Sequence, residues 1–135
     1  MTTSADSPAP SSAAGPPRRL VVKITCGGEA PERFSQGVTV AATALASGAE
    51  VSVWLTGEAT WLAVPGTAEA FDLPYTAPLA DLRDALLASG QVTVCTQCAA
   101  RRDLTDEDLL PGARIAGAAS FVEEVLEPGV QALVY

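Results

Sequence analysis

Leu20-Val21-Val22-Lys23-Ile24-Thr25-Cys26-Gly27-Gly28-Glu29-Ala30-Pro31-Glu32 is the stretch on which the fold turns. Its first five residues form a β-branched, nearly continuous apolar run, the pattern of a strand covered on both faces. Thr25 to Ala30 read as a loop. Pro31 followed by Glu32 reads as a helix start, because proline is tolerated at the first helical position and glutamate complements the helix N-terminal dipole. Phe34, Val38, Ala41, Ala42 and Leu45 then recur at three- and four-residue steps until Gly48. That spacing gives a helix with one apolar stripe turned toward a sheet.

The same alternation continues downstream. Val51 to Leu55 reads as a second strand, followed by a short helical turn carrying Trp61 and Leu62. Val64 to Pro78 holds Pro65, Gly66 and Pro74 and reads as a surface loop broken by a partial helix around Ala68 to Phe71. Pro78 opens a helix whose buried stripe is Leu79, Leu82 and Leu86, Gly90 ends it, and Val92 to Val94 is a third strand. Arg114 to Ala116, Ala119 to Leu126 and Val130 to Tyr135 complete the pattern as strand, helix and strand. Ser120 and Glu123 have the spacing of a capping box, and Thr105 with Asp108 reads as another helix N-cap. The prediction is an α/β chain: a single three-layer α/β/α domain over residues 18–135, with a mostly parallel five-stranded sheet and right-handed crossovers.

Composition bounds the chemistry. The chain has 135 residues, 48% hydrophobic and 18% charged, which suits one globular core. Residues 1–17 carry almost no large apolar side chain and read as a disordered tail without the features of a secretory signal. No apolar run reaches the ~20 residues needed to span a bilayer, so a soluble protein with no membrane partner is expected. Eight basic against sixteen acidic residues give a net charge of -8, which disfavours nucleic acid and anionic lipid surfaces. Histidine is absent, which excludes Ser-His-Asp and Cys-His catalysis and histidine-liganded zinc. Three cysteines outside a disulfide-dense pattern point to reduced thiols in a cytoplasm.

Those cysteines carry the candidate site. Cys95 ends a strand and Thr96 to Arg102 reads as a helix, so its sulfur faces backbone donors that favour thiolate over thiol. Cys95 is the candidate nucleophile. Cys98, one helical turn later, is placed to resolve an oxidised or persulfidated Cys95 as a disulfide. Arg101 and Arg102 either neutralise the helix end or bind an anionic partner. Cys26 occupies the equivalent place after the first strand, at the same sheet edge as Cys95. Gly27 and Gly28 offer amides to an anion, although a tight turn is the default, and no nucleotide-binding glycine pattern is present. Three thiols without histidine fall short of a structural zinc site, and no cofactor is expected. A thioredoxin-like dithiol and a binding subunit with structural cysteines are the alternatives to a sulfur nucleophile.

Val94-Cys95, the helix ending Ala99-Ala100-Arg101-Arg102 and the following Thr105-Asp106-Glu107 resemble the strand, cysteine, helix and double-arginine segment of the DsrE/DsrF-like family. Weaker similarities are Cys26-Gly27-Gly28 before the Ala-rich helix and the terminal strand Val130 to Tyr135. The resemblance covers most of Arg19 to Tyr135. Asp103 stands where glycine commonly follows the arginines, and Cys98 where some relatives have a small apolar residue. The resemblance implies a parallel α/β/α fold and a role like that of the sulfur-relay members, in which the cysteine matching Cys95 accepts sulfur as a persulfide from a protein donor and passes it to a protein acceptor. It also implies a homo-oligomer, trimer or hexamer, or assembly with paralogous subunits. The final strand and Trp61 are candidates for that interface.

Overall fold

Five apolar runs form five strands: β1 Arg19–Ile24, β2 Glu50–Leu55, β3 Gln91–Cys95, β4 Ala113–Ala116 and β5 Val130–Val134. All pair in parallel, in the order β4-β3-β2-β1-β5. This computed structural model describes residues 15–135, so most of the expected tail lies outside the described residues. The helices are α1 Pro31–Ala46, α2 Thr67–Ala70, α3 Leu79–Ser89, α4 Thr96–Arg101 and α5 Ala118–Val125. Gly57–Ala63 and Asp106–Asp108 are 3-10 helices.

The strand order explains the layers. From β1 to β4 the chain steps across the sheet in one direction, and α1 and α3 pack together on one face. The connection from β4 to β5 runs back the other way, so a crossover of the same hand places α5 on the opposite face. The core lies under α1 and α3, where Val22, Ile24, Val53, Leu55 and Val94 meet Phe34, Val38, Leu79 and Leu86. On the other face Trp54 packs edge-to-face against Phe121 of α5, with centroids 5.3 Å apart.

Two local expectations are corrected. The α5 cap is Gly117, in extended conformation, and Ser120 lies inside the first turn, so the expected Ser120–Glu123 capping box does not form. Ala118 and Ala119 are strong helix formers and draw the start toward the N-terminus. Pro78 stands at the N-cap of α3, one residue before its first helical residue.

Arg83 occupies a buried position within the leucine stripe of α3. Its guanidinium is held bidentately by Glu69 of α2, at 2.9 and 2.7 Å, and its Nε donates to Asp84 at 3.0 Å. This clamp ties α2 to α3, while Phe71 just beyond α2 packs edge-to-face on Phe34. Hydrogen bonding from Arg83 is the chief reason the Glu69 carboxyl is held down at about 2 rather than the usual 4.5. A carboxyl depressed in the folded state contributes stability above its unfolded pKa and loses that contribution as pH falls toward the folded value. The denaturation midpoint is therefore expected to fall between about pH 4.5 and 2, and Glu69→Gln to flatten that part of the profile. A urea series across the range checks it; identical profiles for the two proteins would refute the clamp.

Candidate functional site

In a parallel sheet the carboxyl ends of all strands share one edge, and a crevice opens where neighbouring connections leave toward opposite faces. Here that place lies between β3 and β4. The chain leaving β3 enters α4, whose Ala99 belongs to the core on the α1 and α3 side. The chain leaving β4 turns through Gly117 into α5 on the other side. Cys95, the last residue of β3 and the N-cap of α4, pairs in register with Ala116 at this sheet edge.

Cys95 is half-buried and all three cysteines are free thiols. Pleat alternation puts it on the same face as Thr93, which is in register with Trp54, and hence on the α5 face. Burial pushes its thiol up, but the Cys98 amide and side chain, the Gln97 amide and the charge of Lys23 favour the thiolate and together prevail. The net direction is below the ordinary thiol value.

Cys98 is buried, and its Sγ accepts a hydrogen bond from the Gly57 amide at 3.2 Å. Cys26 also lies at this edge, but its side chain belongs to the core cluster with Phe34 and Ala59. Burial, reinforced by the charge of Glu29, pushes the Cys26 thiol up. A limiting amount of iodoacetamide near neutral pH is expected to label Cys95 at least about tenfold faster than Cys26. Peptide mass spectrometry of the native protein checks this, and equal labelling would contradict the placement.

Gly27 and Gly28 differ. The Gly27 amide is occupied by the Glu29 carboxylate at 2.7 Å, and a Cβ there would lie 2.7 Å from the Glu58 carbonyl oxygen. Gly28 is exposed with open space about it. The two arginines also part company. Arg102 donates through Nε and Nη2 to Glu58, at 3.1 and 2.7 Å, and through Nη1 to the Cys98 carbonyl at 3.0 Å. It fastens α4 to the segment after β2, whereas Arg101 is exposed and forms no ion pair within 4.0 Å among the described residues.

Asp103 has φ +54°, and beyond α4 the Asp103 amide bonds Ala100 O while Leu104 N bonds Ala99 O. This is a Schellman ending, whose left-handed position glycine fills at least cost. Asp103 thus occupies the backbone role that the resemblance assigns to glycine.

The sequence singles out neither Lys23 nor Trp54, and it reads Glu124, with Glu123, as a solvated face, which the structure corrects. Trp54 Nε1 donates to Glu124 at 2.6 Å and Ser52 Oγ to the same oxygen at 2.9 Å. The Lys23 ammonium stands 4.9 Å from the Phe121 ring centroid. The available signal for Lys23 was a single charge interrupting an apolar run read as buried on both faces.

The fold is similar to that of the ychN protein from E. coli, with a TM-score of 0.71 and 15% identity over 87% of this chain and 99% of that one. It is also similar to MTH1491, a protein of unknown function from Methanobacterium thermoautotrophicum, with a TM-score of 0.66 and 11% identity over 87% and 99%. No curated protein sequence matches the chain. The sequence pattern of the DsrE/DsrF-like family matches residues 19–134, from the first residue of β1 to the last of β5. With its five-stranded parallel sheet and helices on both faces, the chain belongs to the DsrE/DsrF-like family.

Proposed function

We propose that this protein is a sulfur carrier in which Cys95 accepts sulfur as a persulfide and passes it to an acceptor thiol. The observation that carries the reading is the half-buried Cys95 thiol, held below the ordinary thiol value, where β3 ends and α4 begins. In the first step the Cys95 thiolate attacks the outer sulfur of a donor persulfide R–S–SH. A Cys95–S–SH bond forms, the donor S–S bond breaks, and the donor leaves as a thiolate. In the second step an acceptor thiolate attacks that outer sulfur and Cys95 returns as thiolate. Both steps balance without metal, cofactor or external oxidant.

The second reading is a dithiol couple, favoured by Cys98 one turn further on, whose side chain contributes to stabilising the Cys95 thiolate. Donor and acceptor in the first reading are proteins of a reducing cytoplasm. A homo-oligomer or an assembly with paralogous subunits belongs to the same proposal. Its support is the exposed apolar side chains Val122 of α5, Leu126 just beyond it, and Leu133 and Val134 on the two faces of the edge strand β5, rather than Trp61, which is half-buried.

Intact-protein mass spectrometry after incubation with a persulfide donor tests the carrier. One reducible sulfur atom is expected on wild type and Cys98→Ser, and none on Cys95→Ser. No adduct on folded wild type removes the carrier reading. A Cys95–Cys98 disulfide without a stable persulfide moves the assignment to the dithiol.

A further inference from the structure

Lys23 is the chain's sole lysine and sits near the end of β1, the strand between β2 and β5. A charge placed in such a strand ordinarily finds an acidic partner, because half-burial removes much of its hydration. Lys23 has none within 4.0 Å among the described residues, in a chain with twice as many acidic as basic side chains. Glu124, on the helix above, is engaged by Trp54 and Ser52. What Lys23 does meet is the face of Phe121, a ring that itself packs on Trp54.

Register fixes where that charge lies relative to the thiol. Lys23 pairs with Trp54 and Trp54 with Thr93, so all three side chains share the α5 face. Cys95 follows Thr93 by two residues and returns to that face. Nucleophile and unneutralised cation therefore occupy the same side of the same sheet edge.

We propose that Lys23 is a positioning residue for Cys95, receiving the negative end of an anionic reactant that approaches the thiol. Under the carrier reading, on which only the identity of the anion rests, that negative end is the outer sulfur of the persulfide. When Cys95–S–SH loses its proton to water, the charge moves outward from Sγ by one S–S bond, about 2 Å. A lysine, a compact charge on a flexible four-carbon stem, can follow that displacement. The Phe121 ring holds the ammonium on the α5 face without neutralising it. A local cation also offsets the repulsion that a net charge of -8 exerts on any anion.

The test compares iodoacetate with iodoacetamide, which share the leaving group and the carbon attacked and differ in one negative charge. Native full-length protein is labelled with each reagent and the Cys95 peptide is quantified. Lys23→Met is expected to lower the iodoacetate-to-iodoacetamide rate ratio at Cys95 roughly fivefold or more, and Lys23→Arg to restore most of it. An unchanged ratio in folded Lys23→Met overturns the proposal, because a purely structural loss slows both reagents alike.

If Lys23→Met fails to fold, the native wild type serves. Reductive dimethylation keeps the charge of Lys23 and acetylation removes it, and Lys23→Arg taken through both treatments undergoes the change at the terminal amine alone and sets the baseline. A lower ratio after acetylation only upholds the proposal, and equal ratios in the two arms overturn it. The carrier reading separates cleanly. A charge-dependent ratio in a protein that takes up no persulfide upholds Lys23 and removes the carrier, whereas uptake with a charge-independent ratio does the reverse.

Discussion

Trp54→Ala is expected to destabilise the protein by about 3–5 kcal/mol, a large part of the ~5–15 kcal/mol that holds a typical domain folded. The indole is 2% exposed, packed between the sheet and α5. No residue of α5 is fully buried, so this helix depends on few anchors. Its Phe121 rests against Trp54 and its Glu124 accepts the indole N–H. Truncation leaves a cavity, frees Phe121 and removes one of the two donors on Glu124. Trp54→Phe separates the effects: it keeps most of the packing and removes the N–H, with an expected cost of about 1.5–3 kcal/mol for a bond to a charged group. Denaturant titration gives the magnitudes. Hydrogen exchange is expected to show the loss first in the amides of α5, and protection there unchanged in Trp54→Ala would show that α5 is held by something else.

Gly57→Ala is expected to cost about 3 kcal/mol or more, through two independent causes. Gly57 has φ +55°, a left-handed conformation that penalises an L side chain by about 1–2 kcal/mol. A Cβ there would also stand 2.6 Å from the Thr25 carbonyl oxygen, a backbone atom with little freedom to retreat. The flanking backbone is held by Thr56 N to Ile24 O at 3.0 Å and Thr25 N to Tyr135 O at 2.8 Å. Gly48→Ala is the control, because Gly48 also has positive φ, +97°, but faces open space. Its expected cost is about 1 kcal/mol, and the difference between the variants measures the close approach. Equal costs would mean the Thr25 loop yields freely. Because the Gly57 amide is the donor to Cys98 Sγ, the damage falls within the thiol site and is expected to change Cys98 labelling as well as stability.

The strands were legible because parallel strands covered on both faces are written as unbroken β-branched runs, as in Leu20 to Ile24 and Val51 to Leu55. Helix α1 was legible from its stripe and from Pro31, which stands at its first residue. Cys95 was legible because strand end and helix start meet in one short segment. Less legible was whatever depends on partners distant in sequence. Nothing local distinguishes Arg102, fastened to Glu58, from Arg101, left in solvent. Arg83 takes a buried place among leucines because Glu69, outside its helix, neutralises it. Ser120 had the spacing of a cap, but Ala118 and Ala119 extended the helix past it. The role of Lys23 depends on strand order, which sets β1 beside β2 and so brings its charge onto the face of Cys95.

The pairing of β1 with β5 also bears on how the chain reaches this structure. Tyr135 N bonds Lys23 O at 2.8 Å, and Thr25 Oγ1 bonds the Tyr135 carbonyl at 2.7 Å across a separation of 110 residues. Strands β1 to β4 meet sequential neighbours, whereas β5 must close a loop spanning nearly the whole domain before any contact rewards it. During folding β1 is therefore an edge strand until β5 arrives, with its backbone groups open to the wrong neighbour. The residue that ends that exposure lies beside Lys23, so kinetic protection of the nascent sheet and completion of the thiol site are one event.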